Sequence, residues 1–382
     1  MVKELFSYID THLEEYVEFL KNICSFEATA MDKKEIDNML DYIIEFVSKK
    51  GFFIERIPFD TCGDFLLIDI NKDAPKGNVF LAHTDTVHKK GVFGYPCVRI
   101  ENNIMQGPGT IDCKGGIAIA LLAMDALHKC GINKHTRLIL TSDEEISNTL
   151  GGEKEIQFIN EATKGFKSAL NCEVTKDNQV VVSRKGILRQ KIEITGKSGH
   201  SGIDYFRSSN AVLEAAKKIV VLESASRQGG ATYNCSIISG GTVANIIPDK
   251  CSFTVDVRVV SPEDMQKAAE FIHEVTQTSY VIGTSATVTT ISSRPPMLRN
   301  KETEILFHRF CEISNKYVLG ELEAIESGGG SDSAYTQLAG IPSLCGLGGS
   351  GDSCHTNKEY INISSIPQRA KLLAVFCAEQ EV

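Results

Sequence analysis

Apolar residues Leu5, Phe6, Ile9, Leu13, Val17, Leu20 and Ile23 recur at helical spacing and predict an amphipathic first helix. Asp32 followed by Glu35 resembles a capping box before a second helix, which Gly51 is placed to end. Short apolar runs at 52–57, 65–70 and 79–82, bounded by Gly, Pro and Asp, predict strands. A helix is predicted over 117–127 after paired glycines, and a buried strand over 138–140. The runs 169–170 and 180–182 are predicted to continue the same sheet. Strands and helices alternating in this way predict an α/β layer architecture with a mixed central sheet flanked by helices.

The pattern changes after Gly186. Segments 188–195, 232–239 and 253–259 alternate polar and apolar residues like half-exposed strands, with helical patterns at 210–223 and 262–277 between them. Two strand–helix–strand units side by side predict a small, two-layer α+β domain. The stretch 292–296 reads as a crossing back, and from Thr303 the order returns to helix, strand and helix, ending near Gln380. With 382 residues the chain is too long for one ordinary core. The expectation is a discontinuous domain, 1–186 with 296–382, interrupted by an inserted domain at 187–295.

A net charge of -9 argues against a nucleic-acid partner, whose phosphates demand a basic face. Twelve scattered cysteines without a C-x-x-C pair fit reduced thiols in a cytosol better than a disulfide framework or a cysteine zinc ribbon. Glu4, Asp10, Glu14, Glu15 and Glu18 interrupt the first apolar residues, unlike a signal peptide. No run approaches the roughly 18 apolar residues of a membrane span. The chain is expected to be soluble and cytoplasmic, without a membrane or nucleic-acid partner.

Five short segments place carboxylates and imidazoles at or near the ends of predicted strands. In His83-Thr84-Asp85, residues i and i+2 of an extended chain face one side, so ring and carboxylate point together. Alone the pair is weak, and a surface histidine beside an aspartate is its commoner meaning. In Gly107-Pro108-Gly109-Thr110-Ile111-Asp112-Cys113-Lys114-Gly115-Gly116, glycines on both sides let the backbone bring Asp112 close to a partner, or simply cap the next helix. Asp143-Glu144-Glu145 follows an apolar strand, where three acids need either a cation or solvent. Glu173 and His355 say nothing singly. Together, two His and several carboxylates suit a pair of zinc ions with a shared carboxylate.

The segments taken in order resemble the co-catalytic zinc peptidase family of glutamate carboxypeptidase, acetylornithine deacetylase and succinyl-diaminopimelate desuccinylase, over nearly the whole chain. The resemblance implies a di-zinc catalytic domain at 1–186 and 296–382, and a lid and dimerisation domain at 187–295. It implies that His83 and Glu173 hold one zinc and Glu145 and His355 the other, with cobalt or manganese as possible substitutes. By the same likeness Asp112 would bridge both, Asp85 would brace His83, and Glu144 would be the general base. A cis Asp112–Cys113 peptide is also implied. Gly196-Lys197-Ser198-Gly199-His200-Ser201-Gly202 resembles a loop whose histidine, here His200, serves the oxyanion, often across a homodimer. Asn245 and Arg258 look like substrate-carboxylate contacts, as do Gly329 and Ser331 of the glycine-rich Gly328-Gly329-Gly330-Ser331-Asp332-Ser333 loop. For Arg258 a surface salt bridge is the competing expectation.

The substrate implied is a small peptide or N-acyl amino acid. Glu173 in place of Asp, the Gly-Pro-Gly-x-x-Asp-x-Lys-Gly-Gly form and Ser183-Arg184-Lys185-Gly186 look like the carboxypeptidase branch. Alternatives on the same scaffold are an acetylornithine- or succinyl-diaminopimelate-type deacylase and a dipeptidase. A non-catalytic relative would be expected to lose Glu144 or a ligand, and all are present. Ser147-Asn148, Cys172 and Val174 depart from the family pattern beside the pocket.

Overall fold

A computed structural model describes residues 1–380. Its contacts divide into two compact units: one formed by Met1–Ser183, Arg299–Glu326 and the chain from Ser331 onward, the other by Arg184–Leu298 with Ser327–Gly330.

The first unit begins with helices α1 (Val2–Cys24) and α2 (Lys33–Ser48). Asp32 caps α2 by accepting the Glu35 N–H at 3.2 Å, and Gly51 beyond it takes φ +84°. Strands β1 (Phe53–Ile57), β2 (Phe65–Ile70), β3 (Lys76–His83), β4 (His135–Thr141) and β5 (Ser168–Asn171) join the late strand Ser343–Leu344 in one sheet. Their spatial order is β1, β2, β4, β3, β5 and then 343–344. The first two contacts are antiparallel, while β4, β3, β5 and 343–344 run parallel.

Helix α3 (Lys114–Lys129) is mostly apolar and buried from Lys114 to Leu127, and is therefore interior. Ile117, Ile119, Leu121, Leu122 and Met124 expose nothing. Truncating Leu121 to Ala would cost about 2–5 kcal/mol. The paired glycines at its start have a steric reason. A Cβ on Gly116 would lie 1.9 Å from the Cys172 carbonyl oxygen, so only glycine lets the helix approach the end of β5 this closely. Helix α4 (Gly152–Thr163) follows β4.

The second unit is a four-stranded antiparallel sheet of β6 (Gly186–Thr195), β7 (Thr232–Gly240), β8 (Lys250–Val259) and β9 (Ser285–Arg294), in the order β7, β8, β6, β9. Helices α5 (Ala211–Ser224) and α6 (Pro262–Gln277) cover one face. Phe253, Val255, Val257 and Val259 alternate inward along β8 against Ala215, Leu222, Ala268 and Ile272. Asn210 and Ser261 cap the helices through the N–H groups of Leu213 and Asp264. Helices α7 (Lys301–Tyr317), α8 (Ser333–Leu338) and α9 (Ser365–Glu379) complete the first unit.

Two expectations are corrected. The run 180–182 is a strand, but Gln179–Arg184 pairs with Glu323–Ser327 and reaches the central sheet only through a bridge from Val181 to Cys345. The edge it would have taken beside β5 is occupied by Ser343–Leu344. The stretch expected to cross back begins inside β9, whose Thr- and Ser-rich sequence carries little apolar signal but suits a half-exposed edge strand. Among the described residues no helix is long and apolar enough to cross a membrane.

Candidate metal centre

Three neighbouring parallel strands of the first unit, β4, β3 and β5, end on one side of the sheet, so the residues just beyond them converge. His83 is the last residue of β3 and is paired in register with Thr141, the last of β4. Glu144 and Glu145 form a short helical turn just after β4. Glu173 lies two residues beyond β5. Asp112 comes from the glycine-rich turn before α3, where Gly109 takes φ +71° and Asp112–Cys113 is a cis peptide.

Asp112 stands between two histidines. Its Oδ1 is 3.1 Å from His83 Nε2, and its Oδ2 is 3.3 Å from His355 Nε2. Glu173 Oε1 lies 3.6 Å from the same His83 nitrogen, and Glu145 Oε2 lies 3.3 Å from the same His355 nitrogen. Five side chains thus form two half-sites that share one carboxylate. Among the described residues, ligand atoms of His83, Asp112 and Glu145 lie within 4.8 Å of one another, as do those of His83, Cys113 and Glu173.

Asp85 has two attachments. Its Oδ1 is 3.3 Å from His83 Nδ1, and its carbonyl oxygen 3.0 Å from the same nitrogen. Its carboxylate also accepts the N–H groups of Glu144 and Glu145, at 3.3 and 3.1 Å. One buried acid therefore orients the histidine and the glutamate turn together.

The electrostatics are those of a cation site. Burial works against charge on Asp112, yet hydrogen bonds from His355 and His83 hold its carboxyl far below the usual range. Burial and the neighbouring charge of Asp112 push Glu145 up to about 8. Hydrogen bonds to Asp112 and Glu145 raise His355 to about 10. Burial opposes a proton on His83, but Cys113, Asp112, Asp85 and Glu173 outweigh it and hold the ring well above its ordinary value. A divalent ion beside each histidine would balance the same carboxylates. The N/O donor set fits such ions, whose binding would displace the ring protons.

Glu359, unnoticed in the sequence, holds the bridging turn. Its Oε1 accepts the N–H groups of Ile111 and Asp112 at 3.0 and 3.1 Å, and its Oε2 is 2.5 Å from His88 Nε2. Both side chains are buried. An acid four residues after His355 was the available signal. Asn148, one of the departures from the family pattern, donates to Glu155 and Asp332 and accepts from Tyr335. It ties the segment after the glutamate turn to the start of α8.

The remaining candidates are placed differently. Ser331 belongs to the first unit, is fully buried, and bonds Ser333 Oγ at 3.1 Å. His200, Asn245, Arg258 and Gly329 belong to the second unit. His200 is exposed, with Nδ1 accepting the Gly202 N–H. Asn245 is exposed and contributes its carbonyl to Ser201 N–H. Arg258 pairs with Asp256 at 2.7 Å, the salt bridge expected as its alternative use, and its Nη1 reaches the Gly328 carbonyl at 3.5 Å. The Gly329 and Gly330 carbonyls accept from Arg184.

His and carboxylate side chains converging at the strand ends of a mixed α/β sheet form a donor set that fits a metal-dependent enzyme. Residues 79–379 match Peptidase family M20/M25/M40, and the chain belongs to that family of metallopeptidases and deacylases. Carboxypeptidase G2 of Pseudomonas sp. (strain RS-16) is 27% identical, over 94% of this chain and 87% of its own length. Succinyl-diaminopimelate desuccinylase of Ehrlichia canis (strain Jake) is 23% identical, over 86% and 89%. The crystal structure of an M20 family metallo-carboxypeptidase, Sso-CP2 of Sulfolobus solfataricus, shares the fold with TM-score 0.79 at 18% identity, covering 95% of this chain and 98% of that one.

Proposed function

We propose that the chain is a cytoplasmic, two-zinc hydrolase of the carboxypeptidase type, cleaving an amide bond in a small peptide or N-acyl amino acid. The observation that carries this reading is the Asp112 carboxylate, with one oxygen facing His83 and the other facing His355. His83 and Glu173 would hold one ion, Glu145 and His355 the other, and Asp112 would bridge. Bound there, the pair would supply the positive charge that acidifies a water and polarises the scissile carbonyl. Cobalt or manganese can replace zinc with such ligands.

The chain's own part is proton transfer and positioning. Glu144 takes the proton of the attacking water and returns it to the leaving nitrogen. It is buried, and its backbone is pinned by Asp85. His200 of the second unit would donate to the developing oxyanion, reaching across a homodimer. Exposed Ile237, Ile238, Val243 and Ile246 on that unit support a self-association surface. Asn245, Arg258, Gly329 and Ser331 would receive the substrate carboxylate. The twelve free cysteines support the cytoplasmic placement.

The test is hydrolysis of peptides ending in Glu, N-acetyl and N-succinyl amino acids, and free dipeptides, each with and without chelator. Chelator-sensitive cleavage of the first class is expected. Cleavage confined to acyl amino acids would move the chain to the deacylases, and cleavage of dipeptides alone would overturn the carboxypeptidase reading.

A further inference from the structure

Cys113 follows the bridging Asp112 and is fully buried. Its sulfur does not simply join the packing around α3. Sγ of Cys113, a carboxylate oxygen of Glu173 and a ring nitrogen of His83 all lie within 4.8 Å of one another. The neighbouring buried thiol, Cys172, points elsewhere, with Sγ 3.8 Å from the Leu170 carbonyl oxygen. Cys113 Sγ itself donates to the Cys172 carbonyl at 3.2 Å. A thiol is a weak donor, so giving up that bond costs little.

We propose that Cys113 is a sulfur ligand to the metal position formed by His83 and Glu173, which makes the two half-sites chemically unequal. This rests on the two-metal reading above and extends it. The His83 position would offer nitrogen, oxygen and sulfur, while the His355 position offers nitrogen and oxygen alone. Ligation would replace the S–H bond by a sulfur–metal bond, with the proton given up. Thiolate favours zinc, cadmium or cobalt over manganese or magnesium, which prefer oxygen. The first position would therefore select a soft ion and the second would accept a harder one.

The experiment uses full-length protein, freed of metal and reloaded with cobalt, with bound metal counted and the near-ultraviolet spectrum recorded. Wild type is expected to bind two equivalents and to show an intense sulfur-to-cobalt charge-transfer band. Cys113→Ser should keep most of the cobalt and lose the band, while Cys172→Ser keeps both. Given a mixture of zinc and manganese, wild type should take one of each, and Cys113→Ser should lose about tenfold or more of its preference for zinc at one position. Two cobalt ions bound to wild type without the band would overturn the sulfur ligand and leave the two-metal reading standing. A band that survives Cys113→Ser would do the same. Wild type that binds no cobalt would sink both. Should Cys113→Ser fail to fold, Cys113→Ala takes its place and must lose the band.

Discussion

The two oxygens of Asp112 face unlike surroundings. On one side His83 ends a central strand, with a side chain 1% exposed and its other nitrogen held by Asp85. On the other, His355 sits in a glycine-rich segment at φ +63°, with a side chain 57% exposed. The first half-site is built by the sheet, and strand register alone brings His83 beside the end of β4. The second depends on a loop, anchored four residues later by Glu359. Asp112 thus stands between a buried histidine at a strand end and an exposed one in a loop.

The comparison breaks most completely at Asp112. Asp112→Ala removes the carboxylate that faces both His83 and His355. Both ions are expected to be lost, with activity falling to background; unchanged metal content by elemental analysis would refute the bridge. Glu144→Gln should leave both halves loaded yet lower kcat at least about 100-fold, the scale of a positioned general base. Near-normal kcat in that variant would remove Glu144 from the role. Glu359→Gln acts between the halves. It keeps the volume but removes the charge that receives Ile111 and Asp112 N–H and faces His88. Metal affinity should fall about 10–100-fold, as supporting contacts to ligands usually cost, and titration with a competing chelator would measure it.

The strand-end half was legible in the sequence, because a strand of apolar residues ending in His, or in a run of acids, announces both its element and its direction. The turn that carries Asp112 was visible through its glycines, but they fitted a helix cap as well, and only the family resemblance singled out Asp112 as shared. Glu359 and His88 were not legible, since their meaning lies in meeting across the fold, 271 positions apart in sequence. Asn148 was noticed only as a departure from pattern; its partners Glu155, Asp332 and Tyr335 come together through tertiary packing. The edge strand β9 was lost for a different reason. With its side chains mostly polar and exposed, the period-two signal that marks the buried strands is nearly absent. For Arg258 and His200 the residue type alone permits both a surface contact and a substrate contact, and the sequence had no means of choosing.

The finest test of the unequal halves is the pH dependence of the metal-free protein. His355 is raised to about 10 from an ordinary 6.5, so its proton stabilises the fold fully below 6.5, and that contribution is lost as pH rises through about 10. Glu145 is raised to about 8 from 4.5. A raised carboxyl also favours folding at low pH, and its contribution fades between about 4.5 and 8. Both groups therefore act in one direction, and chelated protein should melt at progressively lower temperature between about pH 6 and 10. Metal bound at the His355 position needs that ring neutral and Glu145 ionised, so its affinity should rise over the same window, up to about tenfold per pH unit for each proton displaced. The loaded protein should consequently show a flatter Tm profile than the chelated one. His355→Gln should flatten the part of the chelated profile above pH 8, where the Glu145 contribution has already been lost. A chelated wild type whose Tm is constant across this range would mean that the loop half carries no such proton. The two halves would then differ in exposure and not in charge.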